Sequence, residues 1–262
     1  MKNKDTKSDH KKREPEDWEW SLADEELKPI ARKKSWLYVF VTILLILGFL
    51  ALSLPELQII IASRFDFMAD NQRLSSDQIV TTAKPAVVSI EASIWDGLSR
   101  SVRQGTGFNI SPQGKIITNR HIVEGSNKIK VSFGDGRFFY VKSFTAVPGI
   151  DLVTIDLHSQ NLPVIGVDKQ GLPTSGQQVT IIGNPLGLQK IAQRGKVGQY
   201  HLTKNNKVAV FDINVPANPG NSGSPVLNDY AQAVGIVFAS SQMKIGAQTE
   251  VRALAIPINA LP

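Results

Sequence analysis

The sequence predicts an all-β body, a barrel or sandwich of a size that suits two small barrels, held behind one membrane-crossing helix. Three observations carry this reading. From about Gln78 onward, short runs rich in Val and Ile are cut at close intervals by Gly, Pro, Asn and Asp, the texture of strands joined by turns. No long 3.6-residue apolar period appears in that region, which argues against amphipathic helices. Before it, "WLYVFVTILLILGFLALSL", Trp36 to Leu54, runs 19 residues without a charge. At 1.5 Å rise per residue this is long enough to cross a hydrocarbon core of about 30 Å.

Composition sets the outer bounds. With 262 residues and 42% hydrophobic content the chain can bury one substantial domain or two small ones. A net charge of +6, from 29 basic and 23 acidic residues, is spread thinly and not gathered into a basic, aromatic-laced block, which excludes nucleic acid as the expected partner. The absence of cysteine removes disulfides, thiolate nucleophiles and zinc–thiolate sites.

Taken in order, residues 1–35 carry ten Lys/Arg and nine Asp/Glu and read as a polar cytoplasmic tail. The apolar run at 36–54 lacks the short basic leader of a cleaved signal peptide, so it reads as an uncleaved anchor. Lys28, Arg32, Lys33 and Lys34 crowd its N-terminal side, while Arg64 and Arg73 are the nearest basic residues beyond Pro55. The positive-inside bias therefore keeps the tail in the cytoplasm and everything after Leu54 outside. Residues 55–77 read either as a short juxtamembrane helix or as a linker. Across 78–262 the runs "AVVSIEA", "GTGFNIS", "KIIT", "KIKVSF", "FFYVKSF", "LVTIDL", "QQVTIIG", "VAVFDINV", "QAVGIVFA" and "ALAIPI" each read as a strand, with "SPQG", "FGDG" and "PLG" as turns. The expected division is a first barrel over about 78–167 and a second over about 168–262.

Chemistry concentrates in a few places. In "NPGNSGSP", Asn218 to Pro225, the glycines permit a turn that aims two backbone N–H groups at one point beside Ser222, the geometry acyl transfer needs. A serine nucleophile requires a base. Of the four histidines, His10 lies in the tail, His158 follows a strand and His201 sits in a polar stretch, leaving His121 in "IITNRHIVEG" at a strand end. Asp151, at the mouth of "DLVTIDL", is the acid candidate to orient that imidazole, with Asp156 and Asp212 as rivals.

The motifs "GTGF" (105–108), "TNRHIV" (118–123), "GNPLG" (183–187) and "NPGNSGSP", in this order and spacing, resemble the trypsin-like serine proteases of the HtrA (Deg) type. The resemblance covers about residues 78–262. It implies two six-stranded antiparallel barrels with an active site between them. It also implies His121 as general base, Asp151 as its orienting acid, Ser222 as nucleophile, and the N–H groups of Gly220 and Ser222 as oxyanion hole. The chain order His, Asp, Ser, and G-N-S-G-S in place of G-x-S-x-G, excludes the α/β-hydrolase alternative. The departures are Ser224 where a second glycine is common, Arg120 where Asn often precedes the histidine, and variation within Leu152–Leu157. No segment resembling a PDZ domain follows "ALAIPIN", so a protease without one is expected.

By the same resemblance the base of the substrate pocket falls at Pro216 and Ala217, with Ile236, Val237 and Phe238 along one wall. No acid stands there to pair with Lys or Arg, so cleavage after small or medium apolar residues is expected. The implied function is a membrane-anchored, extracytoplasmic serine endopeptidase acting on misfolded or regulatory proteins, needing no cofactor or metal. Relatives of this type are often homotrimers. The alternative is a tethered protease-fold module that binds or chaperones and cleaves little.

Overall fold

The computed structural model describes residues 36, 38–49, 68, 70–95, 97–188, 190–203, 209–246 and 248–261. The chain divides into two units, residues 1–58 and 59–262. In the first, residues 38–49 are helical and expose their apolar side chains, among them Val39, Leu45 and Phe49. The Thr42 hydroxyl folds back onto the Tyr38 carbonyl at 2.8 Å, satisfying itself within its own helix. Among the described residues no helix is long and apolar enough to cross a membrane. The tail, residues 1–35, and part of the apolar run predicted to span the bilayer, Leu37 and residues 50–54, lie outside the described residues.

The second unit is all β. Strands β1 (Val87–Trp95), β2 (Arg100–Asn109), β3 (Lys115–Thr118), β4 (Lys128–Ser132), β5 (Phe138–Val141), β6 (Thr145–Ala146) and β7 (Val153–Asp156) form one antiparallel sheet in the order β5-β4-β1-β2-β3-β7-β6. Strands β8 (Gln178–Gly183), β9 (Ile191–Leu202), β10 (Ala209–Ile213), β11 (Pro225–Leu227), β12 (Ala233–Ile245) and β13 (Gln248–Pro257) close a six-stranded barrel in the order β10-β13-β12-β11-β8-β9. The expectation of two closed six-stranded barrels is therefore corrected for the first half, which is an open, seven-stranded half-barrel. The reason is local: β6 is two residues long and pairs only with β7, while β5 pairs only with β4. Phe139, Val141 and Phe144 pack against the sheet's own core of Ile90, Ile116, Ile129, Val131 and Ile155.

Alternation explains why the sheet has a wet and a dry face. Along β1 the even positions Val88, Ile90 and Ala92 are fully buried, while Ser89 and Glu91 between them reach the surface. The barrel has its own core around Val179, Ile181, Phe211, Ile213, Val226 and Ala253. A third cluster joins the two halves: Val87, Phe108 and Ile117 from the sheet meet Ile182, Leu227, Ile236 and Ile256 from the barrel. The packed body extends N-terminal of Gln78, because Leu74 is buried in this same cluster and Asn71 Oδ1 accepts the Ala192 amide at 3.0 Å. Asp77 caps the short helix Gln78–Ala83 by accepting the Ile79 amide, and its other oxygen lies 2.7 Å from Arg194 on β9.

Candidate active site

His121 lies on a single helical turn, Arg120–Val123, separated from β3 by Asn119 alone. Antiparallel pairing of β3 with β7 sets Thr118 opposite Val153, so the residues just beyond each strand, 119–121 and 151–152, meet at the same edge. The contact there is bidentate. His121 Nδ1 is 2.6 Å from Asp151 Oδ2, and the His121 amide donates to Asp151 Oδ1 at 2.9 Å. Two bonds on one carboxylate fix its plane, and a carboxylate at Nδ1 makes that nitrogen the donor, which leaves Nε2 as the free acceptor. Asn119 Nδ2 donates to the Asp151 carbonyl at 2.9 Å, and Arg103 Nη1 donates to the His121 and Glu124 carbonyls, each at 2.9 Å, steadying both sides of the turn. The His121 side chain is 48% exposed, open to a substrate.

The rival acids are placed elsewhere. Asp156 faces Lys115 at the opposite end of the β3–β7 pair. Asp212, on β10, sits 2.7 Å from His201 Nε2 and 2.6 Å from Arg252. His158 follows β7 in an exposed left-handed conformation, with φ of 50°.

The Ser222 loop joins β10 to β11. Asn218–Asn221 forms a turn closed by the Asn221 amide on the Asn218 carbonyl at 3.0 Å, with Pro219 second and Gly220 third at φ +98°. Proline followed by a left-handed glycine is the pattern of a type II turn. The amides of Asn221, Gly223 and Ser224 donate to the carbonyls of Asn218, Val237 and Asn221. Among the described residues, the amides of Gly220 and Ser222 donate to nothing, and Pro219 has none to offer. Two free N–H groups, one residue apart, thus flank the serine, whose hydroxyl likewise has no partner among the described residues.

Thr106 of β2 anchors this loop. Its amide donates to the Ser222 carbonyl at 2.9 Å, its hydroxyl to the Gly220 carbonyl at 2.7 Å, and its own carbonyl accepts the Thr118 hydroxyl at 2.7 Å. Since Thr118 precedes His121 by three residues, this chain of bonds ties the serine loop to the histidine turn. Asn184, buried at the end of β8, donates its amide to the Thr106 hydroxyl at 2.9 Å and its side chain to the Val88 carbonyl at 3.0 Å. Thr106, Thr118, Asn119 and Asn184 all stand in the motifs that carried the resemblance, yet their hydrogen-bonding duties were not foreseen. Buried polar residues inside apolar strands were the available signal.

Of the residues expected to line a substrate pocket, Ile236 and Val237 are buried in the hydrophobic clusters, at 0% and 1% exposure. Phe238 and Ala217 are half-buried and Pro216 is exposed.

The trypsin-like peptidase domain family matches residues 105–236, half of the chain. A curated relative from Chlamydia pneumoniae, described as "Probable periplasmic serine endoprotease DegP-like", is 36% identical over 143 residues, which cover 53% of this chain and 29% of that protein. The chain thus spans less than a third of that relative's length. Among solved structures, a serine endoprotease from Yersinia pestis superposes with a TM-score of 0.56 at 26% identity, over 69% of this chain and 61% of its own. The HtrA-type protease AlgW with a decapeptide gives 0.59 at 23% identity, over 70% and 64%, a likeness of fold.

Proposed function

The chain belongs to the trypsin-like peptidase domain family, and from that premise we propose that it is a membrane-anchored serine endopeptidase of the HtrA (Deg) type with Ser222, His121 and Asp151 as its catalytic residues. The single observation that carries the reading is the loop's pair of unbonded amides, Gly220 and Ser222, tied through Thr106 and Thr118 to the turn whose imidazole is already oriented by its carboxylate. His121 Nε2 takes the proton of the Ser222 hydroxyl as Oγ attacks the peptide carbonyl carbon, and the oxyanion that forms is held by the two N–H groups. Collapse expels the amine, which receives the proton from His121 and leaves an acyl ester on Ser222. A water deprotonated by His121 then hydrolyses that ester. The bond between Ser222 Oγ and His121 Nε2 belongs to the complex with substrate, where such bonds tighten.

The finer parts of the proposal concern place and substrate. The exposed apolar helix at 38–49 and the basic residues preceding it support an anchor with the N-terminus in the cytoplasm and the protease domain outside. The periplasmic description of the Chlamydia relative points the same way. Substrates are unfolded or regulatory proteins with a small or medium apolar residue before the scissile bond, received between Pro216, Ala217 and Phe238. Assembly into a homotrimer belongs to the same proposal. The decisive experiment treats the folded protein with a fluorophosphonate probe. Labelling that is lost in Ser222→Ala is expected, and a folded wild type that takes no label under any condition would return the chain to the binding-module alternative.

A further inference from the structure

Thr106 is wholly buried, and every polar atom it owns is bonded to a segment that carries the proposed chemistry. We infer that its hydroxyl is a positioning residue for the oxyanion hole, setting the orientation of the Gly220 N–H without touching substrate; this rests on the protease reading. The direction of the hydroxyl proton follows from its neighbours. The Asn184 amide can only donate, and it meets Thr106 Oγ1 at 2.9 Å, with Asn184 Nδ2 a second donor at 3.2 Å. Both occupy lone pairs of the oxygen. The hydroxyl proton therefore goes to the Gly220 carbonyl, 2.7 Å away.

That bond decides how the turn is held. A four-residue turn can exist in two forms that differ by rotation of its middle peptide, and a glycine tolerates both. The middle peptide here is Pro219–Gly220, whose N–H is one of the two free amides. With the Gly220 carbonyl held by Thr106 and the Ser222 carbonyl held by the Thr106 amide at 2.9 Å, both residues that supply oxyanion donors are gripped from the same point on β2. Without the hydroxyl, the part-buried Gly220 carbonyl and the buried Asn184 amide lose their partner together. Gly220 is then released on its carbonyl side, and its left-handed backbone no longer braces the preceding peptide against rotation. The Gly220 N–H would leave the hole while Ser222, His121 and Asp151 stay intact.

The test compares Thr106→Val, which keeps the shape and removes the hydroxyl, with Thr106→Ser, which restores it. On a chromogenic peptide with valine before the scissile bond, T106V is expected to lower kcat at least tenfold, towards the loss of about 10² to 10³ that removal of one donor causes. KM should move by less than about threefold, as for an interaction made only in the transition state. Affinity for the matching peptide boronic acid should fall in parallel with kcat, affinity for the product peptide should not, and T106S should recover most of both. The two affinities are read on folded protein, so partial unfolding leaves their ratio intact, and Thr106→Ala repeats the comparison should the valine not fold. An active wild type whose T106V variant keeps its kcat and boronate affinity overturns this inference alone. A wild type that neither cleaves nor accepts a fluorophosphonate overturns the protease reading beneath it.

Discussion

Gly220 has no room for a side chain. A Cβ built on it would overlap the Asn184 carbonyl oxygen and come within 3.3 Å of Pro185 Cα, and its φ of +98° is one that side-chain-bearing residues rarely adopt. Gly223, at φ +84°, is enclosed in the same way by the Thr106 carbonyl and the Thr118 hydroxyl. Gly220→Ala should therefore cost about 1–3 kcal/mol in stability from backbone strain alone. If the turn relieves that strain by rotating, kcat/KM should fall about 10²-fold or more through loss of one oxyanion donor. Urea denaturation and steady-state kinetics on the same preparation separate the two effects, and retention of full activity would mean the Gly220 amide has no part in catalysis. The need for a sharp turn was plain from the run Asn-Pro-Gly-Asn-Ser-Gly. Which oxygens crowd its glycines was not, because they come from residues more than 30 positions away in the chain.

At the scale of elements, β9 shows where sequence pattern misleads. "IAQRGKVGQYHL" contains two glycines and little alternation, yet Ile191–Leu202 is a 12-residue strand that closes the barrel against β8 and β10. The glycines are demanded by proximity: a Cβ on Gly195 would lie 2.6 Å from Val215 Cγ1, and one on Gly198 would overlap the Asp212 carboxylate. Asp212 is the buried hub of this corner, accepting from the Gln199 amide at 2.9 Å, His201 at 2.7 Å and Arg252 at 2.6 Å, while Arg252 also reaches Glu250 at 3.1 Å. Burial pushes its carboxyl up, but the bonds from His201, Arg252 and Gln199 together outweigh burial and hold it below the usual carboxylate range. A depressed folded-state value means that the stabilisation is fully present above the unfolded value of about 3.9 and is lost as pH falls through the folded one. Asp212→Asn should thus cost about 1.5–3 kcal/mol at pH 6, by weakening a charge-assisted bond to a mostly buried guanidinium that keeps only Glu250 as its charged partner. The gap to wild type should narrow as pH falls below about 4. Urea unfolding followed by circular dichroism across that range reads the slope, and a constant gap would show that the carboxylate charge is not what matters.

For the whole molecule, the open sheet and the closed barrel share one apolar interface, and the serine loop and histidine turn come from opposite sides of it. The proposed topology makes a prediction at this scale. Protease added to right-side-out vesicles should leave residues 1–35 intact and reach residues 78–262, whereas digestion of the tail with the β body protected would reverse the orientation. The all-β class, the strand positions rich in Val and Ile, and His121, Asp151 and Ser222 as candidates were legible in the sequence by itself. Alternation and turn residues are local properties, and a serine without a base is chemically idle, so few pairings were open. The tertiary structure alone decided that the first sheet stays open, that a glycine-bearing polar run closes the barrel, and that Thr106 and Asn184 hold the serine loop. Those outcomes depend on which distant groups come within hydrogen-bond or contact distance, and neither residue type nor local period encodes that.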